Sequence, residues 1–453
     1  MCFSLRALGA SLLCSFVAVS AFAQAITPQQ ELRAYVGMKR TIPLPDAGAF
    51  GEQLNPVTGE LLLTQTDAWL KTNSFPLSVI RSFTPGSFPA GTPHTGAFGD
   101  WQLEVPRITT LTVRSQDGNG WLVTGANPYA RCSAFGVPAT PTLESLAGVD
   151  PNIWWQGYQL IVPGHGEQEI LRRDIRLNTL AAEGAPEKYP LVTKQHWQIS
   201  CLPKTDNESG EAFTALSPDG SRYTFDHLVY QRASALMVEG AGTINRERAL
   251  MLVTRIEDRF GNVQQFVYDG DRLVTIINPN EMQLDLRYRT DVPSLVDRVV
   301  LRLYTSKPRI WTYQYANLGT GHETLTGVIR PDGRAWSYNL QALADATLNY
   351  NGSTTCSSVA PFDASQTFTG SMSDPNGLTE QLTLAGVRHG RSLTGSECGA
   401  LSNLPWKPSR YDTLSLTERS YTGANISAAK WSYRMPRRPR HPVGWKQSIP
   451  TTV

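Results

Sequence analysis

Four aspartates, Asp67, Asp100, Asp258 and Asp269, are the side chains of this sequence best suited to acid–base work. Two carboxyls on either side of a glycosidic bond suffice for hydrolysis, one as general acid and the other as base or nucleophile. Two of the four, Asp258 and Asp269, adjoin turn sequences, where aspartate ordinarily accepts bonds from its own backbone. His165-Gly166-Glu167 and His322-Glu323 set an imidazole near a carboxylate, a coincidence common on surface turns. The seven histidines are scattered. The sequence contains no H-E-x-x-H zinc motif, no phosphate-binding P-loop and no G-x-S-x-G elbow. No catalytic residue, metal ligand or cofactor-binding residue is assigned, no cofactor is expected, and the chain reads as non-enzymatic. Trp311, Tyr313, Tyr315, Trp336 and Tyr338 could stack on sugar rings, but their alternate spacing also suits the core of a β-structure, which is the preferred assignment.

Cysteine use and the N-terminus bear on compartment. Arg6, the apolar run Leu8 to Val19 and Ala21-Phe22-Ala23 together read as a secretory signal peptide cut after Ala23. The run is too short for a confident membrane span, and no later segment approaches transmembrane length. The protein is therefore expected to be exported, to the periplasm, the cell surface or the medium. Four cysteines follow the cleavage site: Cys132, Cys201, Cys356 and Cys398. An even number in an exported chain suggests disulfides. Cys132–Cys201 and Cys356–Cys398 are the favoured pairs because each falls within one region. No C-x-x-C or histidine spacing supports zinc.

The elements that position these residues follow from alternation. Met282, Leu284, Leu286 and Tyr288 alternate with polar residues, as do Trp311, Tyr313 and Tyr315, and Trp336, Tyr338 and Leu340. Opposite faces of a strand take successive side chains, so each run is a half-buried strand. Between them lie Phe260-Gly261-Asn262, Asp269-Gly270-Asp271, Pro279-Asn280 and Pro331-Asp332-Gly333, all turn sequences. The expectation is an all-β fold, an antiparallel hairpin meander that is most regular from Leu252 to Leu340. The turn-plus-aromatic unit repeats at Gly220, Asn262, Asn280, Gly333 and, more weakly, Gly377. Such units bury their apolar faces only by stacking or coiling. Trp101 is expected in the core.

These repeats resemble the Rhs, or YD-repeat, family through Asp258-Arg259-Phe260-Gly261-Asn262, Tyr268-Asp269 and Asp271-Arg272-Leu273. The stretch Gly51 to Pro85 is similar to the segment that opens Rhs and related wall-associated proteins. It matches at Asn55-Pro56, Thr58-Gly59-Glu60, Thr66-Asp67, Pro76-Leu77 and Arg81-Ser82-Phe83. Phe98 to Val113 and Ser217 to Phe225 continue the likeness. The resemblance implies a β-strip that spirals into a hollow shell, which in full-length members encloses a C-terminal effector, often a toxin, released by self-cleavage. This chain lacks the family-like P-x-x-x-x-D-P-x-G motif and an effector after it, so neither toxin activity nor self-cleavage is carried over. The expected partners are a cell-wall or surface glycan, or a downstream effector polypeptide. A carbohydrate-binding envelope protein using exposed aromatics is the alternative, and a secreted hydrolase a remoter one.

The expected organisation is a signal peptide (1–23), a leader (24–50), an Rhs-type N-terminal β-rich domain (51–230) and a YD-repeat meander (231–341). Degenerate repeats with an inserted loop at Ala342 to Phe362 follow (342–433), then a basic, Pro-rich, disordered tail (434–453). Formal net charge is only +2, so no global field favours nucleic acid. No acid follows Glu418, whereas Arg419, Lys430, Arg434, Arg437, Arg438, Arg440 and Lys446 do.

This break in composition suggests a frameshift near Met435 in the gene of a longer ancestral protein. Read one base later, the codons of Trp445 and Lys446 must spell glycine. Their neighbours permit D-G-S-x-x-Y, which is similar to Asp332-Gly333 and Trp336 to Tyr338 of this chain. Sequencing the gene and the DNA beyond it is expected to show YD-type repeats continuing in the shifted frame. An early stop there, or a frame without such repeats, rules the frameshift out.

Overall fold

Apolar residues at every second position, interrupted by Gly, Asn, Asp and Pro, favour short antiparallel strands, and these dominate the fold. The structure is a computed structural model. It describes residues 48–87, 94–113, 120–138, 155, 157–174, 189–233, 236–238, 242–244, 246–279, 282–303, 307–317, 323–351, 361–390, 410–423, 426–434, 446–447 and 451–452. The signal-peptide and leader assignments, and the second expected disulfide, lie outside these residues, apart from the end of the leader at 48–50.

The first sheet is small. β1 (Glu52–Leu54), β2 (Leu61–Leu70), β3 (Leu77–Phe83) and β4 (Gln102–Glu104) pair in chain order, all antiparallel. A ring follows. β5 (Arg107–Val113), β6 (Gln159–Val162), β7 (Gly166–Arg172), β8 (Leu191–Thr193), β9 (Gln198–Leu202), β10 (Ala212–Leu216) and β11 (Arg222–Arg232) each pair with the next. After a separate hairpin of β12 (Leu236–Val238) and β13 (Gly242–Ile244), the long strand β14 (Arg246–Glu257) pairs with β11 along one edge. Its other edge is shared. Arg246 to Leu252 pair with β5, which closes the ring into a barrel, and Arg255 to Glu257 pair with β15 (Val263–Asp269), which starts a strip.

The strip is a meander in which every strand pairs with its sequence neighbour. It runs through β16 (Arg272–Ile277), β17 (Gln283–Tyr288), β18 (Val296–Arg302), β19 (Arg309–Asn317), β20 (Glu323–Ile329) and β21 (Ala335–Asn339). It continues after the short helix α1 (Gln341–Ala344) with β22 (Thr367–Ser373), β23 (Thr379–Gly390), β24 (Arg410–Gly423) and β25 (Ile426–Arg434). The expected all-β antiparallel meander is therefore the fold.

The repeating unit has a defined turn. In four hairpins a glycine three residues after the last strand-side residue donates its N–H back to that residue. The pairs are Gly220 with Ser217, Gly261 with Asp258, Gly333 with Arg330 and Gly377 with Asp374. In each, the strand-side residue also donates its own N–H to the carbonyl four positions on. This is a three-residue loop closed by a left-handed residue. Gly261 sits at φ 83° and Gly333 at φ 81°, where a side chain would be strained. Asp258 and Asp374 add side-chain acceptors for the turn amides, Phe260 and Asn262 in one case, Asn376 and Leu378 in the other. The repeat tyrosines have a second shared role. Tyr268, Tyr288 and Tyr315 donate their hydroxyls to the carbonyls of Val253, Leu273 and Val296, stapling each strand to chain that precedes it.

Three expectations need correction. The boundary expected at residue 230 falls inside β11, and the ring spans it, because β14 must complete both barrel and strip. The expected loop at Ala342 to Phe362 opens with α1, since Gln341-Ala342-Leu343-Ala344 are good helix formers and Leu343 and Ala344 find buried positions. In the tail expected to be disordered, β26 (Lys446–Gln447) and β27 (Thr451–Thr452) pair with β25, whose open edge offers free backbone groups.

Cys132 and Cys201 are joined, their Cα atoms 5.5 Å apart, and tie the segment after Trp121 to β9 of the ring. A non-reduced digest is expected to yield one peptide pair linking these two cysteines. Cys201→Ser should lower the unfolding free energy by about 2–5 kcal/mol in denaturant titration.

Candidate functional site

The inward face of β2 and β3 carries polar residues where alternation calls for apolar ones. Leu61 and Leu63 are followed on their face by Gln65 and Asp67, and Leu77 and Val79 by Arg81. Arg81 is wholly buried. Its Nε donates to Asp67 Oδ2 at 2.6 Å, and one Nη donates to the Tyr338 hydroxyl at 3.0 Å. The Tyr313 hydroxyl donates to the same Asp67 oxygen at 2.9 Å. Around the guanidinium stand Trp101, with its ring centroid 4.6 Å from Cζ, and the rings of Tyr338, Phe98 and Tyr313. A cation over aromatic faces gains electrostatically from each ring. Burial acts to lower the Arg81 pKa, but Asp67 and the tyrosines outweigh it and the net shift is upward. Burial pushes the Tyr338 hydroxyl up to about 12, so it remains a neutral partner.

The four aspartates that could have paired are thus put to separate uses. Asp67 is Arg81's counter-ion. Asp100, buried, accepts the Leu325 N–H at 2.9 Å through one oxygen, and burial pushes its carboxyl up to about 7. Asp258 organises the turn before β15, and Asp269 pairs with Arg272 at the other end of that strand. His165 packs edge-on against Trp197, and His322 lies outside the described residues. Trp101, Tyr313 and Tyr338 are core residues, while Trp311, Tyr315 and Trp336 pack partly buried against that core. Among the described residues no cluster of three or more metal-ligating side chains occurs.

A cavity of about 700 Å³ opens where the ring wall, the start of the strip and β4 meet. Strand registry sets its floor. Gln231 faces Arg248, which faces Leu111, and Leu250 faces Thr109, which faces Gln159. Tyr230, Tyr268 and Tyr288 line the walls, with their hydroxyls engaged by the backbone. The Arg248 side chain lines the cavity, with Glu167 near enough to favour its charge. The arrangement can hold a small polar ligand through arginine, amide and ring surface.

Sequence reasoning missed Arg81 as the centre of a cluster, although it named the residue within a motif. The available signal was a charged residue in apolar phase on each of two adjacent strands. Arg81→Met should strand Asp67 without its counter-ion and cost about 3–5 kcal/mol in urea unfolding at pH 7. Adding Asp67→Leu should recover part of that loss, because the unpaired charge is then removed.

No family model matches the chain, and no curated protein matches it. Among solved structures, the N-terminal domain of effector protein SpvB from Salmonella typhimurium strain LT2 is similar over 61% of this chain and 98% of its own, at 9% identity and a TM-score of 0.32.

Proposed function

We propose that this chain is an exported, non-enzymatic scaffold of the Rhs or YD-repeat kind, a segment of a β-shell that holds or presents a polypeptide partner. One observation carries the reading: successive parts of the strip all turn to the same small sheet and to the loops that join and flank its strands. The turn before β15, β15 itself and the residue after β16 reach Ser74, Pro76 and Phe75 through Asp258, Gln264 and Asn278. β18 and β20 reach Ala97 and Asp100, while β19 and β21 reach Asp67 and Arg81. Beyond them, α1 bonds Gly86, and β24 reaches Thr58, Gly59 and Glu52. A strip that meets one small sheet and its loops along most of its length is concave toward them, as a shell wall must be.

A second reading, glycan binding, is favoured by the cavity with Arg248, Gln159 and the three tyrosines. Co-expression with the polypeptide encoded immediately downstream should give a co-eluting complex in which that polypeptide resists protease. A downstream product that elutes alone and is digested at an unchanged rate overturns the scaffold reading. Glycan-array binding that is lost in Arg248→Ala favours the second reading instead.

A further inference from the structure

We propose that the buried carboxyl pair Glu52–Glu380 is a pH-operated latch that fastens the first strand to the far end of the strip, closed while Glu380 keeps its proton and released when it loses it. The inference stands on the geometry of this pair and is independent of the scaffold reading.

Glu52, on β1, is 4% exposed and fully engaged. Its Oε1 accepts from Arg419 at 3.0 Å and from the Tyr421 hydroxyl at 2.7 Å, and its Oε2 accepts the Phe50 N–H at 2.9 Å. Glu380, on β23, is 0% exposed, and neither of its carboxyl oxygens has a hydrogen-bond partner among the described residues. The groups around it come from every side. Tyr421 faces it across β24 and Met372 across β22, Arg419 lies two residues from Tyr421, Glu52 approaches from β1, and Tyr433 approaches from β25. Two buried carboxyls therefore share one guanidinium, which Glu52 already holds. Two like charges this close in a dry site are not both ionised at moderate cost, so one carboxyl is kept as the neutral acid. Glu380, which has no well-formed hydrogen bond and for which burial and Glu52 outweigh the help of Tyr421 and Arg419, is that one. Burial, with Glu52 beside it, pushes its carboxyl up to about 8.

The sign follows. The folded-state value lies above the ordinary glutamate value of 4.5, so the closed form binds a proton that the open form has lost between these limits. Closure is firmest on the acid side. It weakens as pH rises toward about 8 and is constant beyond. Ionised Glu380 would face Glu52 with only Arg419 between them, and the weakest piece of the assembly is β1, three residues long and paired on one edge alone.

Hydrogen exchange of the whole chain, followed by mass spectrometry and corrected for intrinsic rates, tests this. The opening equilibrium at Phe50 to Leu54 should rise up to about tenfold per pH unit from pH 6 to 8 and then level off, while Val296 to Leu301 shows no such slope. Glu380→Gln, which stays neutral, should abolish the slope and keep the segment protected. Glu52→Gln removes the second negative charge and should reduce the slope, leaving the part that burial alone causes. A flat profile in the unmodified protein, an unchanged slope in Glu380→Gln, or an unchanged slope in Glu52→Gln overturns the latch.

Discussion

A guanidinium sealed from water needs a counter-ion and polar partners, and Arg81, which has them at Nε and one Nη while the other Nη is met only by rings, sets that requirement for this fold. Its partners come from parts of the chain that local structure alone would not bring together. Asp67 comes from β2, Trp101 and Phe98 from the segment leading into β4, Tyr313 from β19 and Tyr338 from β21. The first sheet cannot slide along the strip without leaving either the cation or Asp67 unpaired in a medium where that is costly. An apolar core of the same volume would hold the two layers together equally well. What a buried pair adds is registry, because it is satisfied in one alignment only.

The same division of labour runs through the rest of the interface. Apolar contacts supply adhesion over one continuous core that includes Leu61, Leu77, Val79, Phe83, Leu284, Val299 and Leu325. Polar contacts mark positions along it: Asn278 to the Phe75 carbonyl, Asp100 to the Leu325 amide, Ser415 to the Thr58 carbonyl. Gly99 belongs to this set. Its φ of 72° and the closeness of the Glu323 carbonyl leave no room for a side chain, so the Phe98 to Trp101 turn lies directly on β20. Asp67 and Arg81 belong to it as well, meeting Tyr313 and Tyr338 of the strip.

Legibility in the sequence followed the range of the interactions. The meander from Leu252 to Leu340 was readable because each strand pairs with its neighbour and each turn carries its own Asp, Asn or Gly. The ring was not. β5 pairs with β14 across more than a hundred residues, as in the Thr109 hydroxyl bond to the Ala249 carbonyl at a separation of 140, and no local pattern announces such a partner. The run Ala249 to Val253 did hold a clue, since five consecutive buried apolar residues suit a strand covered on both faces. Glu380 left a similar trace, sharing its strand phase with Leu382 where a solvent-facing acid would not. Trp101, Tyr313 and Tyr338 were read correctly as core, but the charge they surround was hidden, because an arginine in apolar phase looks like a break in the pattern.

The divided edge of β14 has a consequence for the order of assembly. Most of that edge, Arg246 to Leu252, belongs to β5, made long before it, and its last three residues to β15, made just after. The strip can grow strand by strand as it emerges, since every later pairing is between neighbours. The barrel waits for a distant segment to return, and the small sheet waits longest, with Glu52 meeting Tyr421 only after 369 residues of separation. Non-local pairing of this kind slows folding, and strands that wait expose their edges meanwhile. The small sheet, made before the ring and the strip, is therefore the last of the described elements to find its place, and the time between its synthesis and its docking is when it is most exposed to mispairing.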